Sequence, residues 1–270
     1  MTVVKKMNLK ISQNNKPWKL PVLKNYKVRS EKAGHAFRCV HLSDLHCCIY
    51  GKHQRSLIRM IDAVSPDLIC MTGDMLGKRF HKEAAGDLFK ALGKKYPCYY
   101  VTGNHEFIYK NPDKAKAYVR SFGIHVLEGE GQILDLDGMK VCICGVDDPM
   151  NPQESWMDQL NRAQEMSDRH PELFSVLLTH RPERIQSYID SGFDLVLSGH
   201  AHGGQWRIPG LINGIYAPSQ GFFPKYAGGR YDFGHQVHIN SRGLAYYVSV
   251  PRIFNPVELG VIDIIPGKES

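Results

Sequence analysis

Two histidines, His200 and His202, stand two residues apart just beyond the apolar run 195–198, with Gly199 before them and Gly203-Gly204-Gln205 after. Imidazoles this close at a glycine-flanked strand end have the character of metal ligands. The same arrangement recurs upstream. Four more apolar runs end, and within one to three positions deliver Asp44 with His46, Asp74, Asn104 with His105, and His180. Taken together, Asp44, His46, Asp74, Asn104, His180, His200 and His202 are oxygen and nitrogen donors with no thiolate. That mix suits Mn, Fe, Zn, Ni or a similar divalent ion, with Mn favoured. Seven ligands are too many for one transition ion. Two ions about 3.5–4 Å apart, sharing a carboxylate, fit the count and would clamp both oxygens of a phosphoryl displacement.

Each residue alone has a plainer reading. A strand-end Asp is usually a turn or helix cap, and a single His on an apolar strand is usually packed, which is how His41 reads. His35, His53, His81, His125, His170, His235 and His238 lack the strand-end placement and read as surface or packing residues. Repetition at strand ends is what points to a metal site.

The positioning elements follow from hydrophobic periodicity. Strands are expected over 37–42, 67–72, 97–102, 173–179 and 193–198, each running into one of the ligand-type endings. Helical spacing is expected over 53–64, 82–92, 112–122 (capped by Asn111), 152–167 and 182–191. Asp44, Asp74 and Asn104 follow one another at intervals of 30 residues, about one strand–helix–strand unit. Such units give parallel neighbours, so equivalent strand ends are expected on one sheet edge, where open α/β sheets bind ligands. The runs 124–127, 132–136 and 139–145 read as an antiparallel series, and residues 20–29 as an edge strand. Beyond Gln205 glycine, proline and tyrosine become frequent and strands are expected at 245–250 and 259–265. With no repeat or linker visible, residues 21–270 read as one domain behind a basic arm over 1–20.

Composition bounds the class. The chain has 270 residues, 43% of them hydrophobic and 23% charged, an ordinary globular balance with length enough for a full core. No run approaches the roughly 18 apolar residues of a membrane span, and no apolar segment follows Met1–Lys6 as a secretory signal requires. The seven cysteines, an odd number set largely in apolar runs, read as reduced thiols rather than a disulfide framework. Cys142 and Cys144 fall on one strand face as core, and Cys47-Cys48 read as packing beside a ligand. Net charge is +7. Lys5, Lys6, Lys10, Lys16, Lys19, Lys24, Lys27 and Arg29 all precede the first acidic residue, Glu31. This basic arm is either a contact for an anionic membrane surface or polyanion, or a solvated extension. The expected location is cytoplasmic, with peripheral contact at the inner membrane face.

Ser43-Asp44-Leu45-His46, Gly73-Asp74, Gly103-Asn104-His105-Glu106, His180 and Gly199-His200-Ala201-His202-Gly203-Gly204-Gln205 together resemble the five blocks of the calcineurin-like metallophosphoesterases. The order and spacing match over residues 37–205, and the last block is most similar to the bacterial phosphodiesterase branch. The resemblance implies an α/β four-layer sandwich of two mixed β-sheets flanked by helices. It implies that Asp44, His46 and His202 hold one metal, that Asn104, His180 and His200 hold the other, and that Asp74 bridges both. His105 would protonate the leaving oxygen or stabilise the transition state. The implied activity is a binuclear phosphoesterase that hydrolyses a phosphodiester or pyrophosphate link through a metal-bridging hydroxide. The implied substrate is a small or lipid-linked phosphate ester. A non-catalytic scaffold on the same fold and a nuclease are the alternatives; no nucleic-acid module is visible, so nucleic acid is not favoured as a partner.

Overall fold

The computed structural model describes residues 20–77, 82–108, 112–246 and 251–267. In chain order these form β1 (Val22–Ser30), β2 (Phe37–Leu42), α1 (Arg55–Ala63), β3 (Leu68–Thr72), α2 (Lys82–Leu92), β4 (Cys98–Val101), α3 (Asn104–Ile108), α4 (Pro112–Arg120) and β5 (His125–Val126). The second half adds β6 (Gly131–Leu136), β7 (Met139–Gly145), α5 (Trp156–Asp168), β8 (Phe174–Leu178), α6 (Ile185–Asp190) and β9 (Leu195–Ser198). It closes with β10 (Tyr216–Ala217), β11 (Gly221–Phe222), β12 (Gly229–Phe233), β13 (Gln236–Asn240) and β14 (Glu258–Pro266). Strands β3, β4, β8 and β9 are buried at every position. Their unbroken apolar runs are what a strand needs when both faces are covered.

One six-stranded sheet has the order β1-β14-β2-β3-β4-β5, and the other the order β12-β13-β9-β8-β7-β6. In the first, β2 to β5 run parallel, β14 is antiparallel to β2, and β1 is parallel to β14. In the second, β7, β8, β9 and β13 are parallel, and β6 and β12 are antiparallel edges. The sheets face each other across Phe37, Cys39, Leu68 and Tyr99 on one side and Val141, Phe174, Val176 and Leu195 on the other. The Phe37 and Phe174 rings meet edge to face, 6.0 Å apart. Leu57, Ile61, Leu88, Phe89 and Val119, from α1, α2 and α4, cover the outside of the first sheet. Trp156, Leu160 and Ala163 of α5, with Ile185 and Tyr188 of α6, cover the second. The four-layer sandwich of two mixed sheets is therefore the observed architecture.

Local differences from the sequence reading have physical reasons. The five ligand-bearing strand ends do not share one sheet edge. Strands β2, β3 and β4 belong to the first sheet, β8 and β9 to the second, and their carboxyl ends meet where the His200 N–H donates to Asp44 Oδ2 (3.1 Å) and the His180 Nδ1–H to the Thr72 carbonyl (2.6 Å). The segment 124–127 does not join an antiparallel series. It supplies β5, a parallel partner of β4 reached through α4. Of these three runs, β6 and β7 form the hairpin, with positive φ at both Asp137 and Gly138, as a two-residue turn that matches strand twist requires. Helix α5 begins at Trp156, not at 152, because Asp148 and Asn151 side chains take the N–H groups of Met150 and Gln153 (both 2.9 Å) and hold a loop there. Of the strand expected at 245–250, Ala245 and Tyr246 are irregular and 247–250 lie outside the described residues, as do the Asn111 cap and residues 1–19.

Cys142 and Cys144 share one face, with sulfurs 3.6 Å apart packed against α5, and no cysteine forms a disulfide. His41 is fully buried against Thr72 Oγ1 (2.8 Å). No described helix is long and apolar enough to cross a membrane.

One buried ion pair ties the two halves together. Lys116 Nζ on α4 donates to Asp147 Oδ2 (2.7 Å) beyond β7, and both side chains are shielded from solvent. Lys116→Met leaves the buried Asp147 carboxylate with only the neutral donors Thr102, Asn151 and Gln159 and should cost about 3–5 kcal/mol. A urea titration checks this as a lowered midpoint; an unchanged midpoint contradicts it.

Candidate metal centre

Five of the seven candidate ligands sit on left-handed backbone: φ is 51° at Asp44, 45° at His46, 53° at Asp74, 66° at His200 and 47° at His202. That region disfavours every residue with a Cβ, by about 1–3 kcal/mol where tertiary structure imposes it. The strain turns each side chain inward immediately after its strand. Hydrogen bonds hold the turns. The His46 N–H donates to the Asp74 carbonyl (2.9 Å), the His200 N–H to Asp44 Oδ2 (3.1 Å), and the His105 N–H to Asp74 Oδ1 (2.8 Å).

The side chains converge in overlapping groups. Asp44, His46 and His202 present ligand atoms within 4.8 Å of one another, and so do Asp74, His180 and His200. Asp74 Oδ2 faces both: it lies 3.6 Å from His46 Nε2 and 3.4 Å from His180 Nε2. The Asn104 amide oxygen is 3.2 Å from His180 Nε2. The structure thus brings all seven candidates to one place. His105 is there too, with Nε2 3.9 Å from Asp74 Oδ2 and its ring 4.4 Å from that of His46. With His46 and Asp74 it makes a third possible donor group, but at 30% side-chain exposure it is the most open of the five imidazoles, against 13% for His46 and 0% for His180.

Electrostatics fit a cation. Burial pushes the His46 imidazole down to about 4 and holds His200 and His202 well below the ordinary histidine range, so all three keep neutral lone pairs. Burial also raises the Asp44 carboxyl to about 6, helped by the Asp74 charge. His180 goes the other way. Burial disfavours its charge, yet the Asp74 carboxylate lifts it to about 10 and is itself held well below the usual carboxylate range against its own burial. The His180 Nδ1–H donates to the Thr72 carbonyl (2.6 Å), so Nε2 is the nitrogen turned to the site. The decisive atom is Asp44 Oδ1. It is buried, accepts no hydrogen bond, and lies 3.5 Å from His202 Nε2 and 3.8 Å from His46 Nε2. An unpartnered buried carboxylate oxygen aimed at two neutral imidazoles is a poor arrangement without a cation and a good one with it.

The calcineurin-like phosphoesterase family model matches residues 37–204. The chain belongs to that family. Metallophosphoesterase YkuE of Bacillus subtilis (strain 168) is 32% identical over 77% of this chain and 72% of its own length. Metallophosphoesterase Cj0846 of Campylobacter jejuni is 27% identical over 94% of this chain and 66% of its own length. Among solved structures, the Haemophilus influenzae NAD nucleotidase superposes with a TM-score of 0.51 at 16% identity, covering 78% of this chain and 45% of that one; this likeness speaks for the fold. Family membership and the Asp/His clusters together support a divalent-metal phosphoester hydrolase.

Around the candidate ligands lie residues to which the sequence assigns no role. Glu106, inside a quoted block, accepts from the Gly103 (2.8 Å), Asp74 (3.0 Å) and Leu76 (3.2 Å) N–H groups. Burial and the Asp74 charge push its carboxyl up to about 8 against those three donors. Ser43 Oγ donates to Asp44 Oδ2 (2.6 Å). Arg181 is gripped by Asp148 through Nε (2.5 Å) and Nη2 (3.0 Å) and places Nη1 2.9 Å from both His200 Nε2 and Ser219 Oγ. Asp148 had a readable signal: it follows apolar β7 as the candidate ligands follow their strands. Arg252, which donates to the His202 carbonyl (3.3 Å), comes from the far end of the chain and had none.

The glycines of the blocks are required for two different reasons. Gly73 has φ +84° and needs left-handed freedom. Gly103 and Gly199 are instead places with no room: a Cβ on Gly103 would collide with the Asp74 carboxylate, and one on Gly199 with Ser43 Oγ and Asp44 Oδ2. Gly103→Ala should therefore displace Asp74 and lower kcat/KM by about 100-fold or more. Steady-state assay of the folded variant checks this; activity within about threefold of the parent contradicts it.

Proposed function

We propose that the protein is a binuclear metal-dependent phosphoesterase acting on a phosphodiester or pyrophosphate link. The observation that carries this reading is the position of Asp74 Oδ2 between His46 and His180, 3.6 and 3.4 Å away. One carboxylate serving two donor sets is what a pair of ions about 3.5–4 Å apart requires. Asp44, His46 and His202 would hold one ion, Asn104, His180 and His200 the other, and Asp74 both. Such ions, with Mn favoured, supply an activated water and neutralise charge on the phosphoryl oxygens. Only two of the seven ligands are anionic, so the loaded site stays net positive and receptive to a phosphate anion. Arg181 and Arg252, held beside His200 and His202, add to that field.

His105 is the proton donor in this reading. It stands beside the proposed bridging carboxylate, and its ring is the most exposed of the five. From there Nε2 can pass a proton to the leaving oxygen. The substrate class is a small or lipid-linked phosphate ester. The test is an activity screen of p-nitrophenyl phosphate against bis-p-nitrophenyl phosphate, with Mn, Zn, Fe, Ni and Mg added in turn to metal-stripped protein. Metal-restored hydrolysis of the diester above the monoester is expected. Hydrolysis of neither ester with any metal contradicts the reading.

A further inference from the structure

Arg181 follows the candidate ligand His180 directly, and its guanidinium is held from behind. Asp148 takes it side-on: Nε donates to Oδ2 (2.5 Å) and Nη2 to Oδ1 (3.0 Å). A two-point grip of this kind fixes the plane of the guanidinium as well as its position. Asp148 is itself fixed. It is fully buried, accepts the Met150 N–H (2.9 Å), and its own N–H donates to Thr102 Oγ1 (3.1 Å). The Tyr188 hydroxyl donates to the Arg181 carbonyl (2.7 Å) and holds the backbone. The Arg181 side chain is only 11% exposed. Serving as counterion to Asp148 occupies Nε and Nη2, and Nη1 is turned elsewhere.

Nη1 reaches the metal centre. It lies 2.9 Å from His200 Nε2 and 2.9 Å from Ser219 Oγ, while Glu183 Oε1, at 3.6 Å, is beyond hydrogen-bond distance. Ser219 is exposed, so the pair stands where the centre meets solvent. A guanidinium only donates, so His200 Nε2 accepts from it with its lone pair. A neutral imidazole has a single lone pair. When His200 gives that pair to an ion it cannot also serve Arg181, and one Nη1–H is left beside the ring without an acceptor there. A fixed cation with an N–H of this kind matches an oxygen of a phosphoryl group. Guanidinium geometry suits phosphate, and a hydrogen bond between two charged groups is about twice as strong as one between neutral groups.

We propose that Arg181 binds a phosphoryl oxygen of the substrate through Nη1, beside His200, and that Asp148 is the positioning residue that aims it. The inference rests on the two-ion reading of the site and adds to it a direct contact between the chain and its substrate. Such a contact recognises the phosphoryl group itself, so small and lipid-linked esters depend on it alike.

The test is calorimetric titration of inorganic phosphate into the full chain loaded with Mn²⁺, with metal content measured on the same samples. Arg181→Gln should weaken phosphate binding by about tenfold or more at unchanged metal content. That variant leaves Asp148 buried without its cation. Should it fail to fold, Arg181→Lys decides: it keeps a charge but not the fork, and should still weaken phosphate by about fivefold or more. Asp148→Asn keeps the shape, loosens the grip, and should weaken phosphate by about threefold or more. Combined with a folded Arg181 variant it should add nothing, because Asp148 acts through Arg181; additive losses would overturn its part. Phosphate affinity equal to the parent's in a folded Arg181 variant that keeps its metal overturns the proposal and leaves the two-ion reading standing. So does loss of an ion in the Arg181 variants, which would make the residue a support of the metal site. A parent chain that takes up metal but no phosphate overturns the proposal alone, and one that takes up no metal overturns both.

Discussion

Asp74→Ala should lower kcat/KM for a phosphodiester by about 10⁴-fold or more and reduce bound metal from two ions per chain to one or none. Asp74 Oδ2 faces His46 and His180, members of the two proposed donor sets, at once. The same carboxylate holds the start of α3, because Oδ1 accepts the His105 N–H at 2.8 Å. Asp74→Asn keeps the shape but removes the charge that lifts His180 to about 10. It should lose less metal than the alanine variant and still lose most activity. Elemental analysis and steady-state kinetics on both variants check this. Two ions per chain in Asp74→Ala would show that the carboxylate does not bridge.

His105→Ala should leave both ions in place and lower kcat by about 10²–10³-fold, within the usual contribution of a positioned proton donor. The loss should depend on the leaving group. An alkyl ester needs a proton on its departing oxygen and should show the full effect, while a p-nitrophenyl ester, whose phenolate leaves unaided, should lose about tenfold or less. Because His105 also lies within ligand reach alongside His46 and Asp74, metal content separates the two roles. Loss of an ion in His105→Ala would make it a ligand, and an equal loss on both esters would remove it from proton transfer.

Much of the site could be read from the chain because its design repeats. Apolar runs of four to six residues end in Asp, His or Asn, and in an α/β sandwich such ends meet whatever their separation in sequence. Asp44 and His202 illustrate this: they are far apart in the chain, and Asp44 Oδ1 and His202 Nε2 lie 3.5 Å apart. What periodicity could not show is the division of those strands between two sheets, since β3 and β8 have the same fully buried pattern. Nor could it show that the short run 124–127, which holds β5, pairs parallel with β4 instead of joining an antiparallel series. The left-handed backbone at Asp44, His46, Asp74, His200 and His202 is invisible for a further reason. Local preference opposes it, and only the surrounding tertiary structure holds it in place. Arg252 is equally invisible, because its importance lies in His202, which it adjoins only after folding.

Metal stoichiometry tests most directly whether two ions share Asp74. Metal-stripped protein dialysed against Mn²⁺ and analysed for metal should hold two ions per chain, and diesterase activity should appear only as the second ion binds. A single ion per chain at full activity, or full activity with none, would contradict the account.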